Sequence, residues 1–336
     1  MRGGADLGEL QAVSDSAPSV VMDDSAEIKT SLSGTFLPSD VADWLTDEIR
    51  PELIIDGVVY PLGVFAAATV SEARDETSRA LRLEAYDRCW VVKDNYTETI
   101  LSIPAGTNYL TAVKQLLASA GIGMIIETPT TQTLAETRED WDVGTSFLSI
   151  INDLLAEINY KQLWFNEQGA AVLEPAYIPT VENIQHKLDA GTVQSLMLPE
   201  NERQTDVYSA PNVFLCICSN PDKSAPMTAT AVNDNPQSPL SVSRRGRRIM
   251  RVEMVDNVAS QNELDDYAAR LRNESVYAGE TISVTTALLP GFGVDDITAV
   301  ILPEISAICK ERRWQMELSV GGSMKHTLER VVLELG

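Results

Sequence analysis

The chain has 336 residues, 44% of them hydrophobic, which is enough for a packed core and two or three domains and excludes wholesale disorder. Its 49 acidic residues against 26 basic ones give a formal net charge of −23, a field that repels nucleic acid and argues against sequence-specific DNA binding. No apolar run approaches the roughly 18–20 uncharged residues of a membrane-spanning helix, and Met1–Gln11 lacks the basic and apolar regions of a signal peptide, so the chain is expected to be made in the cytosol.

Residues 1–18 are small and polar without a period and are predicted to be a flexible tail or an arm that orders on assembly. Between Ala26 and Phe36, the residues Ile28, Thr30, Leu32, Gly34 and Phe36 alternate with Lys29, Ser31, Ser33 and Thr35, the period of a strand with one wet face. Leu53–Asp56, Gly57 and Val58–Val70 read as two strands joined by a tight Asp-Gly turn, and Arg79–Tyr86 supplies another strand. A helix is predicted over Thr107–Ala120, with Leu110, Val113, Leu116 and Leu117 on one stripe and Gly121 ending it. A second helix has the strongest period in the chain, with Phe147, Ile150, Ile151, Leu154, Leu155 and Ile158 on one face.

Tyr160–Phe165 and Ala170–Glu174 flank Asn166-Glu167-Gln168-Gly169 as a hairpin ending its turn in glycine. The stretch from Asn220 to Pro239, with four prolines, reads as an exposed loop. Ser260-Gln261-Asn262-Glu263 has capping-box spacing and opens a helix expected to run to about Tyr277. Beyond it the pattern is all strand: Ile282, Val284 and Thr286 alternate, Trp314, Met316, Leu318 and Val320 alternate against polar neighbours, and Val331, Leu333 and Leu335 form a final edge. The expected class is α+β, β-dominated, with three helices and two related barrel-like modules.

Ala26–Phe36, Val58–Phe65 (VVYPLGVF), Tyr86–Trp90 (YDRCW), Asp140–Leu173, Ser260–Leu271 and Leu288–Val332, with the segments LLPGFGVDD and WQMELSVGGSMKHTLERVV, resemble the baseplate hub family of tailed phages. That family includes contractile-tail hub proteins, late control gene D proteins and the hub half of type VI secretion spike proteins. The resemblance spans about Val20–Leu335 and rests on the order of elements, since no single motif is diagnostic.

It implies two tail-tube-like antiparallel β-barrel domains, 19–104 and 179–336, with a helical and hairpin insertion over 105–178. It also implies a homotrimer whose six barrels join a sixfold tail tube to a threefold spike or tip. The expected partners are tube protein above, spike or tip protein below and the tape measure protein; the expected location is the virion tail, with no cofactor and no catalysis. Because the sequence ends at Gly336, directly after the hub-like region, spike and hydrolase are expected on separate chains. An acidic lumen suits DNA passage without specific binding, because each cationic contact with phosphate adds affinity. The rival readings are a tail-associated cell-wall hydrolase and a host-carbohydrate-binding tail protein.

Candidate sites are few. Arg244, Arg245, Arg247, Arg248 and Arg251 are the one basic cluster, suited to carboxylates on a tube or neighbouring subunit; the plainer reading is a solvated strand end. Cys216 and Cys218 share one face of a strand, but no further Cys or His stands at ligand spacing, so they are expected with Cys89 and Cys309 to be buried, reduced thiols. His186 and His326 sit in no triad signature. Glu136 and Asp140 form a chance-level carboxylate pair, Gly291 and Gly293 mark a turn without the lysine of a phosphate loop, and Trp44, Trp90, Trp141, Trp164 and Trp314 are expected as core or interface anchors.

Overall fold

The computed structural model describes residues 1, 3–14, 16–39, 42–74, 79–177, 179–192, 195–205, 210–218, 227–236, 238–255, 258, 260–275 and 280–331. The first strands are Ser19–Asp23 (β1), Thr30–Phe36 (β2), Glu48–Ile49 (β3), Glu52–Ile55 (β4), Val58–Pro61 (β5), Phe65–Arg74 (β6) and Arg79–Asp87 (β7). The expected alternation is visible in β7, where Leu81, Leu83 and Ala85 are buried and Arg82 and Glu84 exposed. The β4–β5 turn holds Asp56 at φ 50° and Gly57 at φ 80°, the left-handed pair that such a two-residue turn requires. The strand expected over Val58–Val70 breaks after β5 at the buried Leu62-Gly63-Val64 and resumes as β6.

The chain then turns helical: Cys89–Lys93 (α1), Tyr109–Ser119 (α2), Ile125–Glu127 (β8), Phe147–Glu157 (α3), Trp164–Phe165 (β9) and Ala171–Leu173 (β10). Asn108 caps α2 by accepting from Thr111 N, and Gly121 follows its end at φ 80°. In α3 the stripe Ile150, Ile151, Leu154 and Leu155 is wholly buried against α2 and the small sheet β8-β10-β9. Each such side chain contributes roughly 1.5–3 kcal/mol of transfer free energy. The parallel pairing of β8 with β10 was not legible beforehand.

The second half comprises Ile184–Asp189 (β11), Met197–Thr205 (β12), Val213–Cys218 (β13), Met227–Val232 (β14), Val242–Arg245 (α4), Met250–Val255 (β15), Gln261–Ser275 (α5), Glu280–Ala287 (β16), Ile297–Leu302 (β17), Ile305–Glu317 (β18) and Ser323–Arg330 (β19). Three expectations are corrected here. Met227–Val232, inside the expected loop, is a strand antiparallel to β13, with Ala229 and Ala231 facing its core. In the capping box, Ser260 Oγ accepts from Glu263 N, but the Glu263 carboxylate accepts from Gln132 instead of reaching back. Five helices, not three, occur among the described residues, two of them of five residues or fewer. Tyr277, Leu333 and Leu335 lie outside the described residues.

The β-dominated α+β class is present. No sheet among the described residues closes on itself; instead, both β-rich halves share one 11-stranded sheet of order β12-β16-β19-β18-β1-β2-β7-β6-β3, with β17 on β18 and β11 on β17. The join is β1, which pairs with β2 on one side and with Arg313–Glu317 of β18 on the other. The thirteen-residue β18 thereby serves β17 with its first half and β1 with its second. A register shift between Glu311 and Arg313 changes the buried parity from Ala307, Cys309 and Glu311 to Trp314 and Met316. The N-terminal segment also pairs: Val13 N donates to Thr35 O at 2.9 Å, Leu37 N to Gln11 O at 2.8 Å, and Leu10 packs on the sheet core.

Asp87 ties the sheet to α1. Its carboxylate accepts from Thr30 N, Thr30 Oγ1 and Cys89 N, each at 2.8 Å. Burial raises its pKa, and the hydrogen bonds from Thr30 and Cys89 pull the other way. A carboxylate raised on folding adds stability below its unfolded pKa and loses it as pH rises through the folded value. Wild type is therefore expected to gain stability over Asp87→Asn as pH falls toward about 4. At neutral pH Asn turns a donor toward one of these donors, at a cost of about 1–3 kcal/mol. Urea unfolding of both proteins across pH 4–8 checks this.

Candidate assembly surface and buried charge clusters

Arg244 and Arg245 end α4, Arg247 and Arg248 follow in the turn beyond Gly246, and Arg251 is the second residue of β15. Ser241 caps α4 by accepting from Arg244 N, and Gly246 at φ 65° ends it. The fully buried Asn212 fixes the turn: its side-chain amide donates to Leu240 O and Arg247 O, while its oxygen accepts from Ile249 N. Arg245 is half-buried and donates to Ala210 O at 2.6 Å; Arg251 pairs with Glu253 two residues along β15. Arg244, Arg247, Arg248 and Arg251 are exposed. The site is thus a solvent-exposed helical turn leading into an edge strand.

Beside it stands an apolar sheet face. In the three-stranded sheet β14-β13-β15, Cys216, Cys218, Ala229 and Ala231 face α5, packing with Leu264 and Ala268. The opposite face carries Leu215 and Ile217 of β13, in register with Val252 and Met254 of β15. Met250, Val252 and Met254 are 52%, 52% and 64% exposed. The β4–β5 hairpin is a second such surface. It pairs with no other strand among the described residues, and Ile54, Ile55, Val58, Val59 and Tyr60 are exposed.

The thiol expectation is met: Cys89, Cys216, Cys218 and Cys309 are all buried and unbridged. Burial raises the Cys216 thiol to about 11 and the Cys309 thiol to about 12.

The structure gathers both histidines around one ring, which the sequence reading missed. Phe292 stacks on His186 at 3.8 Å between centroids and leans on His326 at 4.8 Å. His326 Nδ1 lies 2.8 Å from Glu311 and its Nε2 3.2 Å from Thr286 Oγ1, while His186 Nε2 lies 2.8 Å from Asp296. The available signal was parity, since His326 falls on the same buried face of β19 as Met324 and Leu328. Gly293 N donates to Asp296 Oδ2 at 2.6 Å, so Gly291 and Gly293 shape the turn carrying Phe292, as expected.

Asp140 is gripped at 2.6 Å by two nitrogens of Arg138, whose third reaches Glu157. Burial pushes the Asp140 pKa up, but Arg138 more than offsets this and holds it below the usual range. A glycosidase acid needs the opposite shift. Tyr109 OH also donates to Glu157, closing a buried triad. A cavity of about 320 Å³ lies where the insertion meets the sheet, lined by Lys29, Lys161, Lys310, Arg312, Asp24 and Asp295 among others. Most of these charges are paired, Lys310 with Asp295 at 2.7 Å, Lys161 with Glu174 at 2.8 Å and Arg312 with both Asp24 and Glu329, while Lys29 donates to Asp24 O and to the Gln162 side chain.

No protein-family profile matches the chain, and no curated protein matches its sequence. Solved structures do match over nearly its whole length. The tail protein from Neisseria meningitidis superposes with a TM-score of 0.69 at 14% identity, covering 98% of this chain and 94% of that one. This chain has a phage tail-protein fold. The tail-protein fold recurs in the 43 kDa tail protein of prophage MuSo2 from Shewanella oneidensis, at a TM-score of 0.65, 11% identity and 94% coverage of both chains. The Escherichia coli c3393 protein, a component of the type VI secretion system, matches at 0.55 and 7% identity, covering 98% of this chain and 76% of that one. The resemblance read from the sequence is borne out at the level of the fold.

Proposed function

We propose that this protein is a structural hub of a phage or phage-like tail: a homotrimer that joins the sixfold tail tube to a threefold spike or tip and encloses part of the path along which DNA leaves. The observation that carries this reading is the β1–β18 pairing. It fuses two β-rich halves into one sheet, so each chain offers two modules held in fixed register, and three chains offer six. The similar c3393 protein is described as structurally similar to the T4 tail proteins gp27 and gp5, which supports a junction role. On this reading the modules are 19–104 and 179–336 and the insertion is 105–178. Tube protein, tip or spike protein and the tape measure protein are the partners, the virion tail is the location, and no reaction is catalysed. The net charge of −23 suits a wall that DNA passes without specific binding.

Light scattering of the purified protein tests this: three times the single-chain mass is expected, and a monomer at every concentration contradicts it. Incubation with peptidoglycan is expected to release no soluble fragments; release favours the hydrolase alternative.

A further inference from the structure

We propose that the cavity where the insertion meets the sheet is a binding site for a small organic anion carrying two or more carboxylate or phosphate groups. The site stands independently of the hub reading above and adds a ligand to it.

Separate stretches of the chain build the cavity wall, and each brings cations. Lys310 and Arg312 come from β18, Lys29 from the residue before β2, Lys161 from the segment after α3 and Arg270 from α5. Like charges repel, so such a gathering holds together only with anions among them. Three of the five have carboxylate partners: Lys161 has Glu174, Lys310 has Asp295, and Arg312 has Asp24 and Glu329. Asp24 and Asp295, which also line the wall, are therefore already held by cations and oppose an incoming anion less.

The other two cations lack a carboxylate among the described residues. Lys29 is only 4% exposed, yet its Nζ donates to neutral oxygens, Asp24 O at 2.5 Å and Gln162 Oε1 at 2.9 Å. Arg270 makes no ion pair with a described residue; its guanidinium lies 5.1 Å from the centroid of the Tyr267 ring. A charge held out of water without an opposite charge is costly, and buried charges are as a rule paired. A ligand with two anionic groups supplies a partner to each, which a lone halide cannot do. Trp164, Tyr177 and Tyr267 add aromatic wall, and the volume of about 320 Å³ falls at the small end of organic ligand sites, about 300–1,000 Å³. Such a wall favours an anion with a carbon body over a bare ion.

Citrate and pyrophosphate are the probes, titrated into the full-length protein by calorimetry in metal-free buffer at constant ionic strength, with sodium chloride as the blank. Saturable 1:1 binding of at least one is expected, with a rise in melting temperature that follows its occupancy. The preferred probe tells carboxylate from phosphate recognition. Arg270→Gln is expected to weaken the affinity roughly tenfold or more, since a charged hydrogen-bond donor is lost, and Arg270→Lys to recover part of it. Arg248→Gln removes the same charge from an exposed side chain outside the cavity wall and should leave the affinity unchanged. Arg270 is half-buried and has no ion pair to lose, so the ligand-free variant should melt within a few degrees of wild type. No saturable binding of either anion, or equal affinity in Arg270→Gln and wild type, overturns the proposal. Should Arg270→Gln melt early, amide hydrogen exchange of the wild type reads the same site. Slower exchange in 160–164 and 267–273 on adding the probe is then expected, and slowing confined to other segments overturns the proposal.

Discussion

Arg138→Leu is expected to lower the unfolding free energy by about 3–5 kcal/mol, the usual cost of removing one partner of a buried ion pair. Both side chains are almost wholly inside, 7% exposed for Arg138 and 6% for Glu157. Arg138 spans Glu157 and Asp140 and lies over Trp141, its guanidinium 4.5 Å from the ring centroid. Without it, Glu157 keeps only the Tyr109 hydroxyl among the described residues. The Glu157 pKa is already raised by burial, with Arg138 pulling it down, so the substitution lets it rise further. A raised carboxylate contributes stability below its unfolded pKa, lost as pH rises through the folded value, so the deficit should be larger at pH 8 than near pH 4. Replacing both partners, Arg138→Leu with Glu157→Leu, should recover part of the loss, because no charge is then stranded. Urea unfolding of the three proteins at both pH values measures this.

Trp314→Ala is expected to cost about 3–5 kcal/mol, as for other large aromatic truncations in cores. Trp314 is 5% exposed and sits where β18 meets both β1 and β19, opposite Met22 and His326. Its indole NH donates to Phe292 O at 3.1 Å, so the ring also holds the turn that places Phe292 between the two histidines. The substitution opens a cavity at the seam of the sheet and frees that turn. Denaturant unfolding reads the first effect. Displaced imidazole resonances of His186 and His326 by NMR read the second, and unmoved resonances would show that the turn holds itself.

Local pattern revealed the helices and hairpins well. The stripe from Phe147 to Ile158 could only be one face of a buried helix, and Asp56-Gly57 could only be a tight turn, because in each the physics acts within a few residues. What stayed hidden depends on distant partners. β1 is five residues beside a polar tail, and its role as the join comes from β18, about 290 residues away. β14 escaped because Ala and Thr alternate too softly among prolines to signal a strand. The register shift in β18 hid that Glu311 points inward, and with it the histidine cluster. At the candidate surface the arginines were legible as a run, but the apolar face beside them was not, since Met250, Val252 and Met254 look like core until β13 is seen to take the inner side.

The central claim is positional, and cryo-electron microscopy of the intact particle tests it most directly. Density for three copies is expected at the junction of tube and tip, with the two β-rich halves of each copy alternating as six modules around the channel. A map placing a single copy there, or placing the protein outside the tail axis, would contradict it.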